Sequence, residues 1–599
     1  MSIPIADYAL LGDTERAALV SRAGSVDWLC LPRFDSPACF AAVLGTPDHG
    51  RWLLGPVEEA ESTRSYREQS FVLDTEHRTA GGRVRVTDLM PFGDGRADLV
   101  RVVEGLEGEV DMQLEWTVRT GYGQVMPWVS RIEDGEGETV IRAIAGPDML
   151  VLRGDRLPRP DDHHHSDRFT VRAGERLRFS MTWVHSWAEV PTALDIDGRI
   201  DDTVRRFDEW AGRHRYEGPY AEAVVRSLLV LRLLTDEVRG GIVAAPTTSL
   251  PEAIGGSRNW DYRYCWLRDA SLALESLLSC GYVDETRLWR DWLVRAVAGD
   301  PADLQIMYAV DGGRELPERE LDHLPGYADS RPVRVGNGAV GQRQSDVLGE
   351  VMIALDLLRR LGVPESDESW AVQQALVDDL ADHWDQDDHG LWEIRGPARH
   401  FTHSRVMVWA AFDRAVRAGE DGGHDGDVER WRELRDQVHA EVCERGYDAE
   451  RNTFTQHYET SEVDAALLLI PTVGFLPADD KRVPGTIKAV EEDLMHHGFL
   501  LRYRTSSGVD GLDGEENPFL ACSFWLVEAY ARCGRLEDAH TLMDRLLGCA
   551  NDVGLLAEEY DPQTGSLIGN FPQAFSHLAL VQAATALAEA EGTGKASRP

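Results

Sequence analysis

Three stretches of the chain place side chains that exchange protons or grip hydroxyls close together. The densest is NWDYRYCWLRDAS, Asn259 to Ser271, just ahead of the apolar run ASLALESLL. Arg268 and Asp269 form a donor and acceptor fork suited to vicinal hydroxyls, with Trp260, Tyr264 and Trp266 as flat walls. Asp269 also stands where a loop becomes a helix, a position at which a carboxylate caps free amides. Four aromatics within seven residues, interleaved with Asp261 and Arg263, are unusual for a core and fit a polar-ligand pocket better. The second stretch is DDHGLWEIRG. Here Glu393 follows Trp392, and a carboxyl against an indole loses solvent, gains a raised pKa and can act as a general acid. The third, GLLAEEYDPQTGSLIGNFPQAFS, sets Glu558 and Glu559 side by side before a turn-rich loop. The sequence pattern alone does not separate them, since 103 of 599 residues are acidic. A carboxyl at 393 and another near 558, brought to one pocket, would supply the acid and base of glycoside hydrolysis.

Bringing them together requires a particular set of elements. From residue 1 to about 192 the texture is that of strands: SVDWLCL, FVLDTEHR, GGRVRVTDLM, DMQLEWTVR, ETVIRAIAG, DMLVLRG and RLRFSMTWVHSW are short β-rich runs between Gly, Asp and Pro turns. Their spacing predicts an N-terminal antiparallel β-sandwich. A helical linker follows over 193–218. From 219 to 599 the apolar period is that of helices, about a dozen in all, joined alternately by short turns and by long loops rich in Trp, Arg, Asp and Glu. No fixed repeat is visible, so an (α/α)6 barrel fits better than an open solenoid. In a barrel the long loops gather at one end, and the loops of Glu393 and Glu558 face each other across it. The expected class is therefore multidomain β + α.

Composition narrows the ligand. A formal charge of −41 opposes nucleic acid and anionic membrane as partners. The 17 Trp, 15 Tyr and 16 Phe suit the apolar faces of sugar rings. No apolar run reaches the length of a membrane span, and MSIPIADYALLGD lacks the basic start and apolar core of a secretory leader, so a cytoplasmic location is expected. Eight scattered cysteines without a CxxC read as free thiols. The run His163 to His165 resembles a ligand set, but consecutive histidines point in different directions; no metal and no cofactor are expected. Self-association is left open.

The ordered motifs DYALLGD, GSVDWLCLPRFDSPACF, NWDYRYCWLRDAS, GNGAVGQRQSDVLGEV, GLWEIRG, LLRYRT with GEENPFLACSFWLVEAY, and LLAEEYDPQTGSLIGNFPQAFSHLAL resemble glycoside hydrolase family 15, the glucoamylases and microbial trehalases, over nearly the whole length. The resemblance implies the same sandwich-plus-barrel fold and an inverting mechanism. It implies Glu393 as general acid in the family's WE motif and Glu558 as general base, with Glu559 as its neighbour, either supporting the site from behind or at a sugar subsite. It places Arg268 and Asp269 on the terminal glucose and Arg502, ahead of Arg504, as a further sugar contact, with Trp392 completing the walls. Ile394 departs from the second acidic residue of fungal glucoamylases, which weakens the outer subsites for a longer glucan. The first expectation for the substrate is α,α-trehalose. A glucoamylase-like α-glucosidase acting on maltose or isomaltose comes next, then a disaccharide phosphorylase or a non-catalytic sugar binder.

Overall fold

Strand Ala97–Thr117, 21 residues long, is the spine of the N-terminal half. In the computed structural model, which describes residues 2–593 except 94, 298 and 513, fifteen strands between Tyr8 and His185 connect into one antiparallel sheet among the described residues. The first half of the spine pairs with Gly82–Leu89 and Arg176–His185; the second half pairs with Arg51–Pro56 and His164–Arg172. The change of partners falls at a bulge, where Gly108 takes φ +61° and its missing Cβ admits the Gly81 carbonyl. The two halves fold over one another. Fully buried Arg101, paired with Asp88 at 2.8 Å, donates across to the carbonyls of Trp52 and Gly24. Trp28, Trp52 and Trp116 fill the interior.

Helix α1 (Ile196–Ala211) leads into the second half, followed by α2 (Ala221–Leu233), α3 (Leu267–Ser279), α4 (Asp284–Ala296), α5 (Asp346–Arg360), α6 (Asp367–His383), α7 (Thr402–Glu420), α8 (Val428–Arg445), α9 (Arg482–Leu494), α10 (Leu520–Arg532), α11 (Leu536–Leu547) and α12 (Ala574–Ala590). Neighbour relations close a ring: α3 packs on α5, α5 on α7, α7 on the short 3₁₀ segment Ala465–Leu469, that segment on α10, α10 on α12 and α12 on α3. Outside it lie α2, α4, α6, α8, α9 and α11. Burial explains the two tiers. Every residue from Leu520 to Ala531 of α10 is buried, whereas α8 buries only Trp431, Val438 and Val442. A helix apolar all round belongs inside, and one with a single stripe belongs on the rim. The result is an (α/α)6 barrel in which one inner helix is reduced to a 3₁₀ turn.

Connections from inner to outer elements are short, such as 280–283 and 533–535, while those from outer to inner are long and collect at one end. The inner helices therefore point their N-termini, with free amides and positive dipole ends, toward that end. No helix among the described residues is long and apolar enough to cross a membrane. All eight cysteines are free thiols.

Candidate active site

A cavity opens among the outer-to-inner loops. Its wall takes Glu252, Arg258, Trp260, Tyr262 and Trp266 from the loop before α3, and Arg268 and Asp269 from the first turn of α3. Trp392, Glu393 and Arg395 come from the loop before α7, Arg502 and Phe519 from the loop before α10, and Glu558 from the loop before α12.

Glu393 occupies the left-handed region at φ +57°, a strained conformation for a side chain with a Cβ. A turn from its amide to the Gly390 carbonyl (3.1 Å) and the Gln342 amide on its own carbonyl (3.2 Å) hold it there. The carboxyl points at α3: Oε1 accepts from Trp266 Nε1 at 2.6 Å and from Arg268 at 3.4 Å. Among the described residues Oε2 meets no partner and borders the cavity. Burial pushes this carboxyl above the ordinary range, and the Arg268 guanidinium pulls back against it. One oxygen is thus anchored and the other is free to carry a proton.

Glu558 is arranged differently. It is 1% exposed, and both of its oxygens are taken by donors: Oε1 by the Tyr262 hydroxyl at 2.8 Å and Oε2 by the Asn570 amide at 3.2 Å. Gly569, at φ +77°, allows this contact, because a Cβ there would lie 2.7 Å from Glu558 Oε2. Donors on both oxygens favour the carboxylate form. Against them, burial and the charge of Glu252 push the group up to about 8, with Arg502 opposing. The rings of Tyr262 and Trp266 meet edge to face at 5.6 Å, so the two carboxyls hang from neighbouring aromatics of the cavity wall.

Arg502 is on the wall and Arg504 is not; the latter pairs with Asp493 at the surface. The Arg502 Nη2 donates to Glu516 (2.6 Å), Glu252 (2.9 Å) and Glu559 (3.3 Å). These three carboxylates lie close enough to bind a cation, and the guanidinium occupies that place. Arg258 bridges Glu516 and Asp510 behind it. Of the two places expected for Glu559, it takes the one behind the site and not the subsite on the cavity wall. Wholly buried at the start of a two-stranded ribbon, it accepts from Arg502 and from the Asn517 amide and backs the arginine.

Arg268 and Asp269 do form a fork, with Nε to Oδ1 at 2.8 Å, at the inner end of the cavity. Trp260, Trp266 and Trp392 are walls; the Trp392 indole is fixed by Asp464 at 2.9 Å. Tyr264 is not a wall. It turns toward Asp261, Arg263 and Tyr122 on the side of the β-domain. The charged residues between the aromatics serve that side too. Fully buried Arg263 pairs with Asp261 at 2.7 Å, donates to the Ser36 carbonyl and the Tyr122 hydroxyl, and lies over Trp28.

The family model for glycosyl hydrolases family 15 matches residues 218–585, and one for a trehalase-like N-terminal domain matches 1–165. The chain belongs to glycosyl hydrolases family 15. A trehalase of Mycolicibacterium smegmatis is 36% identical over 98% of this chain and 92% of its own length. One of Thermoplasma acidophilum is 34% identical over 96% and 98%. Among solved structures, a bacterial glucoamylase complexed with acarbose superposes with a TM-score of 0.72 at 13% identity, covering 98% of this chain and 93% of that one, and so shares the fold.

Within this family 15 site, sequence reasoning passed over Tyr262, Glu252, Arg258, Arg395, Asp464 and Phe575. Tyr262 stood inside the aromatic motif and was detectable from its spacing to Trp260. Glu252 and Asp464 arrive from loops with no local signal, and Phe575 from the first turn of α12. The histidine run opens a strand: His163 takes φ +69°, His164 faces Asp161 at 3.5 Å and His165 meets Trp116 edge-on.

Proposed function

We propose that the protein hydrolyses α,α-trehalose to two glucose molecules with inversion, Glu393 serving as general acid and Glu558 as general base. The observation that carries this is the unequal treatment of two carboxyls in one cavity. Glu393 keeps one oxygen free for a proton, and Glu558 has both oxygens engaged by donors. The choice of trehalose is supported by the two relatives named above, matched end to end in both halves of the chain.

The Arg268–Asp269 fork would hold the hydroxyls of one glucose at the inner end, walled by Trp266 and Trp392. Glu393 Oε2 gives its proton to the glycosidic oxygen, and the C1–O bond breaks with its electron pair leaving on that oxygen. A water deprotonated by Glu558 attacks C1 from the opposite face. Inverting carboxyl pairs stand about 6.5–9.5 Å apart to admit that water. The suspension of the two groups from different aromatic rings is compatible with such a gap. The attacked unit leaves as β-glucose and the leaving unit as α-glucose, and solvent exchange returns the proton to Glu393.

The test is a time-resolved proton NMR spectrum of the purified protein with trehalose, maltose, isomaltose and starch, with and without phosphate. Equal initial α- and β-glucose from trehalose, with trehalose the preferred substrate, is expected. Only α-glucose at early times would overturn inversion, faster turnover of maltose or starch would overturn the substrate, and a sugar phosphate product would overturn hydrolysis.

A further inference from the structure

Arg395 belongs to the motif GLWEIRG; it makes no hydrogen bond to Glu393 or Glu558, and its charge only adds to that of Arg268 in opposing the upward push of burial on Glu393. Side-chain exposure orders the cavity from end to end: Arg268 and Asp269 are 9% and 8% exposed, Glu393 is 18% and Arg395 is 28%. With the attacked glucose at the fork and the scissile oxygen at Glu393, the leaving glucose must lie at the level of Arg395. Ile394 turns into a small apolar core with Phe401, Tyr503 and Val509, whereas Glu393 and Arg395 on either side of it both line the cavity.

The guanidinium is held for a ligand. Its carbon stands 4.9 Å from the Trp260 ring centroid, and Arg334 lies over the same indole at 4.7 Å. Arg334 is committed to the carbonyls of Ser257 (2.7 Å) and Asn259 (3.3 Å). Arg395 is tethered through Nη2 alone, to Glu318 at 3.2 Å, and that carboxylate is itself fixed by the Gly338 amide. Among the described residues Nε and Nη1 of Arg395 have no hydrogen-bond partner, although the planar donor edge is immobilised by stacking and by one ion pair. Trp260 is in turn registered to the base, since its carbonyl accepts from Asn570, whose amide binds Glu558.

We infer that Arg395, braced on Trp260 and Glu318, binds the hydroxyls of the leaving glucose and sets the selectivity for a two-sugar substrate. The inference rests on the hydrolase reading above. It explains what replaces an acidic side chain at position 394: that residue faces the core here, and the contact to the outer sugar is made one position later.

The experiment compares trehalose with α-glucosyl fluoride, whose leaving group carries no hydroxyls, in wild type, Arg395→Ala and Arg395→Lys. A hydrogen bond to a charged group lost from the leaving sugar corresponds to about a 10- to 100-fold fall in the ratio of kcat/KM for trehalose over that for the fluoride. Most of it should fall in KM for trehalose. Arg395→Lys, which keeps the charge but not the planar fork, should lie between. Added guanidinium ion should restore part of the trehalose rate to Arg395→Ala and leave the fluoride rate unmoved. Equal losses on the two substrates, or an unchanged ratio, would overturn the assignment. Wild-type protein inert toward both substrates would overturn the hydrolase reading itself, and turnover of the fluoride without trehalose would overturn the choice of disaccharide.

Discussion

Replacement of Tyr262 by Phe isolates one hydrogen bond at Glu558, the proposed base. The ring keeps its edge-to-face contact with Trp266 at 5.6 Å, and only the hydroxyl that donates to Glu558 at 2.8 Å is lost. A hydrogen bond to a charged group is worth about 1.5–3 kcal/mol, and about 1.4 kcal/mol corresponds to one pKa unit, so the Glu558 pKa should rise by roughly one to two units. As the proposed base, Glu558 works ionised. On the acid side of the pH–kcat/KM profile the variant should therefore lose about 10- to 100-fold, with a smaller loss toward the plateau as Glu558 ionises in both proteins. The assay is initial glucose release from trehalose at fixed low substrate over the full pH range. A loss of the same size at every pH with an unmoved limb would refute the argument, as would a limb displaced to lower pH.

Other substitutions probe the remaining parts. Glu252→Gln removes the charge that raises Glu558, so the same acid limb should move to lower pH, opposite in sign to Tyr262→Phe. Glu558→Gln should cut kcat on trehalose by about 10²–10⁴, whereas Glu559→Gln, acting through Arg502, should appear mainly in KM; steady-state kinetics separates the two. Arg263→Met leaves the buried Asp261 charge with two backbone amides and no counter-charge, costing about 3–5 kcal/mol, to be read as a lower midpoint of thermal unfolding. Asp346, at the start of α5, is wholly buried, with neither oxygen meeting a partner beyond its own residue, and burial pushes it up to about 7. Because its folded pKa lies above the unfolded value, its contribution is intact below about pH 4 and is lost as pH rises through 7. Asp346→Asn should therefore raise the melting midpoint at pH 8 and change it little at pH 4.

Legibility followed the reach of each signal. The helical period, the alternation of short and long connections, and the two glutamate motifs all lie within local windows, and the barrel and the cavity around Glu393 and Glu558 were readable from them. The first half of the spine strand, ADLVRVVEGLEGEV, was not, because Gly105, Gly108 and the interspersed glutamates mask a pattern that a bulge interrupts. The reduced inner element was invisible as a helix for the same local reason: AALLL is too short to show a period. Tyr264 misled because aromatics at 260, 262, 264 and 266 imply one continuous strand. Only Cys265–Trp266 form a strand, with Met307–Tyr308; before them Asp261 makes an isolated bridge to Thr248, and the Tyr262 and Tyr264 carbonyls take the amides of the adjacent residues Ala245 and Ala244, which breaks the even alternation. Glu252 and Asp464 act on Glu558 and Trp392 from distant loops, and such pairings exist only after closure of the ring.

The interleaving in WDYRYCW bears on modularity. Trp260, Tyr262 and Trp266 furnish the cavity, while Asp261 and Arg263 between them lock onto Ser36, Tyr122 and Trp28. Severing the β-domain would leave a buried ion pair facing water in the middle of the loop that walls the cavity, next to Trp260 and Tyr262. The barrel is therefore not a portable cassette. A chimera that grafts it onto a foreign N-terminal partner should keep activity only if that partner reproduces the Ser36 carbonyl and the Tyr122 hydroxyl at the seam.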